Sequence, residues 1–155
     1  MANYIPKQTF SGDEMMIFYQ DKSIAWATSH TLSISVSTTE INTKDNGKFN
    51  NSEVSKISHE LSTENLYSED FDSLFNLMLT GEPITLKFGL RKSETGYVAD
   101  GDVEYWSPST TAGDKYFEGK YIITSLEINA NTGERTTASA TFTGVGKIEQ
   151  KTVTV

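Results

Sequence analysis

The feature that most restricts the fold is alternation with a period of two. In Thr31-Leu32-Ser33-Ile34-Ser35-Val36-Ser37 a hydroxyl separates each apolar residue from the next. Successive side chains of a strand point to opposite sides of a sheet, so this segment has one apolar and one hydroxyl face. It reads as a half-buried strand. Ile84-Thr85-Leu86-Lys87-Phe88 and Ala138-Ser139-Ala140-Thr141-Phe142-Thr143 repeat the pattern. Between them, Tyr121-Ile122-Ile123-Thr124-Ser125-Leu126-Glu127-Ile128 is partly apolar on both faces. A strand there is expected to be covered on two sides, by a second sheet, a helix or a neighbouring subunit. Met15-Met16-Ile17-Phe18-Tyr19 and Ser23-Ile24-Ala25-Trp26-Ala27 flank Gln20-Asp21-Lys22, which predicts a hairpin. Another hairpin is expected from near Asn129 to near Glu134, because Asn131-Thr132-Gly133 tolerates positive φ. The fold class is mainly β and antiparallel.

One segment has a different period. Phe71, Leu74, Phe75 and Met78 recur at helical spacing and make one apolar stripe. Ser68 can cap a helix beginning there, and Glu69, Asp70 and Asp72 place negative charge against its N-terminal dipole. Gly81 and Pro83 supply a stop. The spacing predicts a helix over about 69–80 whose stripe packs on the sheet.

Two stretches read as long loops. Residues 42–54 are polar, with Phe49 and Val54 their only apolar members, and residues 91–116 carry Gly96, Gly101, Pro108 and Gly113 among Tyr97, Tyr105 and Trp106. Structureless loops of this length are uncommon in a compact domain and are usually functional or ordered by a partner. With no internal repeat and no second core, the 155 residues are expected to form one domain with its core over about 14–148.

Charge and chemistry narrow the functions. The net charge is −8, and residues 60–104 hold ten acidic and three basic side chains, a balance of −7. Gripping duplex DNA from outside needs Lys and Arg against the phosphates, and that footprint is missing. No cysteine is present, which removes disulfides, thiolate nucleophiles and zinc–sulfur sites and agrees with a reducing compartment. No apolar run approaches the roughly 20 residues of a membrane span. The first residues, Met1-Ala2-Asn3-Tyr4-Ile5-Pro6-Lys7, lack the layout of a secretory signal, so synthesis and folding in a cytoplasm are expected.

The two histidines, His30 and His59, are expected to be ordinary packed or surface imidazoles. Asp100-Gly101-Asp102 with Glu104 falls short of a calcium loop and reads as a solvated turn. Glu60, Glu64, Asp100 and Glu104 could be paired for glycoside hydrolysis, but acidic residues are too common for such pairs to carry a signal. No nucleophile elbow, phosphate loop or zinc-binding helix pair occurs. The expectation is no enzyme, no catalytic residue, no metal and no cofactor.

The order of segments carries a resemblance. Thr28-Ser29-His30-Thr31-Leu32-Ser33-Ile34-Ser35 is followed by Thr43-Lys44-Asp45-Asn46-Gly47 and by Leu66-Tyr67-Ser68-Glu69-Asp70-Phe71-Asp72-Ser73-Leu74-Phe75. Pro83-Ile84-Thr85-Leu86-Lys87-Phe88-Gly89, Gly119-Lys120-Tyr121-Ile122-Ile123-Thr124-Ser125-Leu126-Glu127 and Thr141-Phe142-Thr143-Gly144-Val145-Gly146 complete it. Over roughly residues 20–148 the chain resembles the major tail proteins of long-tailed phages, in particular the TP901-1-like tail-tube family. Two departures stand out. The insertion from Ser93 to Asp114 exceeds the family's usual bridge, and the tail at 147–155 has no counterpart.

The resemblance implies a β-sandwich or barrel-like subunit flanked by one helix. Six such subunits would close a ring, and rings would stack into a tube that passes DNA without specific binding. A closing ring is a head-to-tail contact, so each subunit must present two different adhesive surfaces. The expected partners are further copies of the chain and the tape measure, terminator and baseplate proteins, with no membrane. The expected location is the virion tail, with the host cytoplasm before assembly. The polar loop, with Thr43, Lys44, Asp45, Asn46, Gly47, Lys48 and Phe49, is the expected assembly contact, ordering on the next ring. Acidic residues of the 60–104 region are expected to contribute to a negative lumen that DNA slides through unheld. Two other readings compete. One is a ring protein of a contractile injection or type VI secretion device; the other is a carbohydrate-binding module using Tyr97, Tyr105 and Trp106.

Overall fold

The computed structural model describes residues 9–24, 27–67, 71–92, 97–100 and 103–154, and the side chains of 46, 71, 72, 97–100, 103 and 104 lie outside the description. The architecture is mainly β with one helix, as the alternation predicts. A 3-10 turn at Gly12–Glu14 leads into β1 (Met15–Tyr19) and β2 (Lys22–Ser23). The long strands β3 (Ala27–Glu40) and β4 (Ser52–Leu66) follow, then helix α1 (Phe71–Thr80) and β5 (Ile84–Leu90). The chain continues through β6 (Tyr97–Asp100), β7 (Val103–Trp106), β8 (Lys115–Asn129) and β9 (Thr137–Thr152). Seven strands form one sheet in the order β2-β1-β5-β8-β9-β4-β3, and β6 pairs with β7.

The residues divide into two compact units, each discontinuous in sequence: Met1–Ala25 with Thr85–Glu118 and Glu149–Val155, and Trp26–Ile84 with Gly119–Ile148. In the first unit β1 and β5 pair antiparallel from Met15↔Leu90 to Tyr19↔Leu86, and Ile17, Phe18 and Leu86 are buried. The turn from β1 to β2 is two residues long. Gln20 and Asp21 take φ of 52° and 62°, the double positive φ that suits a tight hairpin.

The region expected to be a loop at 91–116 contains structure. Tyr97↔Trp106 through Asp100↔Val103 make a short antiparallel hairpin, and Arg91 bridges Pro108. The glycines and proline of this stretch predict a loop. Instead Val98, Val103 and Tyr105 supply the branched and aromatic residues that favour strands, with Gly101-Asp102 between them. The tail at 147–155 is likewise mostly strand, since β9 runs to Thr152, and Val153 exchanges backbone bonds with Gly113 and Asp114.

The second unit holds the larger core. Leu61, Tyr121, Ile123, Ala138, Ala140, Phe142 and Ile84 are buried there, together with His59, Thr63 and Asn65. Strand parity places them consistently, because β4 buries residues 59, 61, 63 and 65 and exposes 60 and 64. Thr63 donates to Asn65 at 2.6 Å, so two polar members of this face satisfy each other. Helix α1 ends as expected, with Gly81 at φ 69°. Its predicted cap, Ser68, and the acids Glu69 and Asp70 lie outside the described residues.

The helix stripe differs from the expected one. Leu74, Leu77 and Met78 are half-buried, whereas Phe75 is 51% and Leu79 70% exposed. Phe71's side chain lies outside the description. At 100° per residue, Leu77, Leu74, Met78, Phe75 and Leu79 sweep an arc of about 200° in that order. The packed half is the Leu77 side of that arc, and the Phe75 side remains open.

Candidate assembly interface

Strands β3 and β4 form a long hairpin whose inner face continues beyond its own core. Its register runs from Ala27↔Asn65 to Glu40↔Ser52, through Leu32↔Leu61, Ile34↔His59 and Val36↔Ile57, with a bulge between Ser37 and Thr38. β9 pairs with β4 over Glu60↔Thr143 to Leu66↔Thr137. Along β4 the buried parity is 65, 63, 61, 59, and the next member, Ile57, is 60% exposed. Across the hairpin Ile34 and Val36 are 47% and 52% exposed. The apolar face therefore runs out of cover just past His59. Isolated exposed apolar residues are ordinary, but a contiguous set on one strand face is a sign of an absent partner.

The tip of this hairpin is the polar loop, shortened by strand at both ends. Ile41 donates its backbone N–H to Asn51 O at 2.7 Å, and Lys44–Asn46 make a 3-10 turn. Gly47 follows with φ 62° and ψ −125°, a conformation that strains any other residue. Of the expected contact residues, Thr43, Lys44, Asp45, Lys48 and Phe49 are all exposed, Phe49 to 81%, and Asn46's side chain is not described. The structure thus gathers the seven at one hairpin end. Residues 52–54, read as loop, belong to β4, because Glu53 and Val54 pair with Thr39 and Thr38.

The root of the hairpin is locked by a histidine in a glycine notch. His59 is 4% exposed, meets Tyr121 edge-on at 4.9 Å, and its Nε2 lies 3.1 Å from Gly146 O. A Cβ on Gly144 would stand 2.4 Å from the imidazole, and one on Gly119 3.1 Å. Burial pushes the Tyr121 hydroxyl up to about 12 and the His30 imidazole down to about 4.

The opposite face of the same strands is a field of hydroxyls. Ser29, Thr31, Ser33 and Ser35 of β3 lie beside Ser58, Glu60, Ser62 and Glu64 of β4 and Ser139, Thr141 and Thr143 of β9. Thr124 of β8 joins them, with its Oγ1 2.9 Å from that of Thr143. Charges of both signs lie at this face's parity, with Glu60, Glu64 and Glu118 against Lys56 and Lys120. Of the acidic residues of the 60–104 segment, Glu60 and Glu64 lie on this face among the described residues. Glu82 is exposed elsewhere, Glu94 and Asp102 lie outside the described residues, and the side chains of Asp100 and Glu104 are not described.

The aromatic residues considered for sugar binding have partners inside the chain. The Arg91 guanidinium lies 3.8 Å above the Trp106 ring and Lys22 Nζ 5.1 Å above that of Tyr105. Tyr97's side chain is not described. Among the described residues no group of three or more His, Asp or Glu could hold a metal ion, and no helix is long and apolar enough to cross a membrane.

No protein-family model and no curated protein matches the chain. Solved structures do. A chain of the virion of a native gene transfer agent particle aligns with TM-score 0.67 at 12% identity, over 92% of this chain and 99% of the other. A chain in the tail of an empty gene transfer agent particle, refined with C6 symmetry, aligns with the same values. The SPP1 tail tube, solved by solid-state NMR and cryo electron microscopy, aligns with TM-score 0.65 at 8% identity, over 93% of this chain and 80% of the other. Over more than nine-tenths of its length, this chain has the fold found in a gene transfer agent tail and in the SPP1 tail tube.

Proposed function

We propose that the chain is a structural subunit of a phage-type tail tube, closing into rings of six that stack into a channel for DNA. The observation that carries this is the hairpin face left uncovered beyond His59, with Ile34, Val36 and Ile57 open to water in the single subunit. A protein that works alone gains nothing from holding such a face outside its core, whereas a subunit needs it. The fold shared with tail structures, one of them of C6 symmetry, supports the same reading. Kinship with the TP901-1-like family is part of the proposal, as are contacts with tape measure, terminator and baseplate proteins and residence in the virion tail.

The hydroxyl face is the candidate channel wall. Affinity for DNA grows with the number of phosphates that Lys and Arg neutralise, and a hydroxyl wall whose few Lys stand beside Glu holds few. Water bound to the serines and threonines would let the duplex slide. The hairpin tip at Lys44–Asn46 with Phe49 is the ring-to-ring contact in this reading.

Electron microscopy and light scattering across a wide concentration range test the proposal. Rings or short tubes are expected to appear as concentration rises. A monomer at every concentration, with empty grids, would overturn it.

A further inference from the structure

Of the chain's asparagines Asn46 alone is followed by glycine, and the pair sits at the tip of the β3–β4 hairpin. We propose that Asn46–Gly47 is a self-modification site, at which the free subunit deamidates without any enzyme. The Gly47 nitrogen, having lost its proton, forms a bond to Asn46 Cγ. The bond from Cγ to the amide nitrogen of Asn46 breaks, and that nitrogen takes up a proton and leaves as ammonia. Water then opens the resulting five-membered imide at either carbonyl. One opening gives aspartate; the other gives isoaspartate, which routes the backbone through an extra methylene.

The setting of the pair favours this closure. Glycine puts no side chain in the path of attack, and the space where a Cβ on Gly47 would stand is empty to 4 Å. The β3–β4 ladder stops at Glu40↔Ser52, followed by the backbone bond from Ile41 N–H to Asn51 O at 2.7 Å. Beyond that bond the pair closes the single 3-10 turn Lys44–Asn46, and Thr43, Lys44, Asp45, Gly47, Lys48 and Phe49 are all exposed. The turn must open before the Gly47 nitrogen can reach the carboxamide, and one turn outside the ladder opens at small cost. Once it is open, nucleophile and carbonyl belong to adjacent residues, which supplies the proximity that a bimolecular attack lacks. Resting on the tube reading above, the product also spoils the ring-to-ring contact. Each conversion adds a negative charge beside Asp45, and the longer isoaspartate backbone breaks the hydrogen-bond spacing of the 3-10 turn.

Dilute free subunits are incubated at neutral and mildly alkaline pH. The 41–53 peptide, released by brief cleavage after Glu40 and Glu53 at mildly acidic pH, is then followed by fragmentation mass spectrometry. The expected result is exchange of –NH2 for –OH at residue 46, faster at higher pH, with Asn42, Asn50 and Asn51 unchanged. The rate is expected to lie within about tenfold of that in a synthetic 41–53 peptide, an opening cost of at most about 1.4 kcal/mol. A slower rate, or conversion at Asn50 or Asn51 ahead of Asn46, would overturn the site. For assembly, aged parent is compared with fresh parent and with equally aged Asn46→Gln, whose six-membered closure is far slower. Aged parent is expected to need a higher concentration than either to form tubes. Aged parent that assembles like fresh parent would overturn the effect on stacking and leave the tube reading standing. A fresh parent that never assembles would overturn the tube reading and that effect together, while the mass change still decides the modification.

Discussion

At the scale of single residues, the notch around His59 shows how small side chains can carry a structural decision. Gly144 and Gly119 contribute no side chain to the imidazole's seat, and a methyl at 144 would stand 2.4 Å from the ring. Overpacking of this kind typically costs about 1–3 kcal/mol, and Gly144→Ala is expected to lower the urea-unfolding free energy by that amount. Phe142, fully buried, should cost about 3–5 kcal/mol on truncation to Ala, whereas Phe75→Ala should cost the isolated subunit less than about 1. Equal losses would place Phe75 in the core. His30 gives a pH signature. Burial lowers its imidazole from 6.5 to about 4, so the unfolded chain takes up a proton in that window before the folded one does. Its contribution is complete above 6.5 and disappears as pH falls towards 4. The parent protein should therefore lose more stability across that window than His30→Phe, and parallel profiles would contradict a neutral half-buried imidazole.

At the scale of elements, hairpin and helix each combine a packed part with a vacant part. β4 is held at its C-terminal half by β9 and a buried row of side chains, while the part nearer the tip is supported by β3. Local opening is easiest where few buried apolar contacts oppose it. Amides in 34–58 are expected to exchange quickly in free subunits and to gain protection on assembly, while those of 60–65 stay protected in both states. No gain on assembly would remove the hairpin from the interface. The helix follows the same logic, since its apolar arc of about 200° is wider than one packed face needs.

At the scale of the whole molecule, the hydroxyl face predicts how DNA would respond to added charge. Replacing Glu60 and Glu64 by Lys changes each subunit's wall by four charges and should leave folding intact, because both residues are exposed. Tubes of this variant are expected to retain DNA, with log affinity falling linearly in log salt at a slope of about −0.9 per phosphate contacted. Tubes of the parent are expected to release it. If the variant's tubes ignore DNA, the hydroxyl face lies outside the channel.

Much of this protein was determined by local sequence. Alternation in 31–37, 84–88 and 138–143 specified strands and their faces, and Gly81 with Pro83 specified the helix end, because each rests on residues a few positions apart. The polar loop and its apolar exception, Phe49, were legible for the same reason. Three things were not. The hairpin inside 91–116 was hidden by its glycines and aromatics, since a short two-stranded ribbon gains its stability from side chains distant in sequence, as Arg91 over Trp106 does here. Sequence periodicity marks an apolar arc on α1 but not which edge of it the subunit covers. Ile57 and Leu61 are also indistinguishable in the alternation, two apolar residues at one parity of one strand. Only tertiary structure decides that Leu61 is 1% exposed and Ile57 60%, because cover depends on where the neighbouring strands end and not on the strand that needs it.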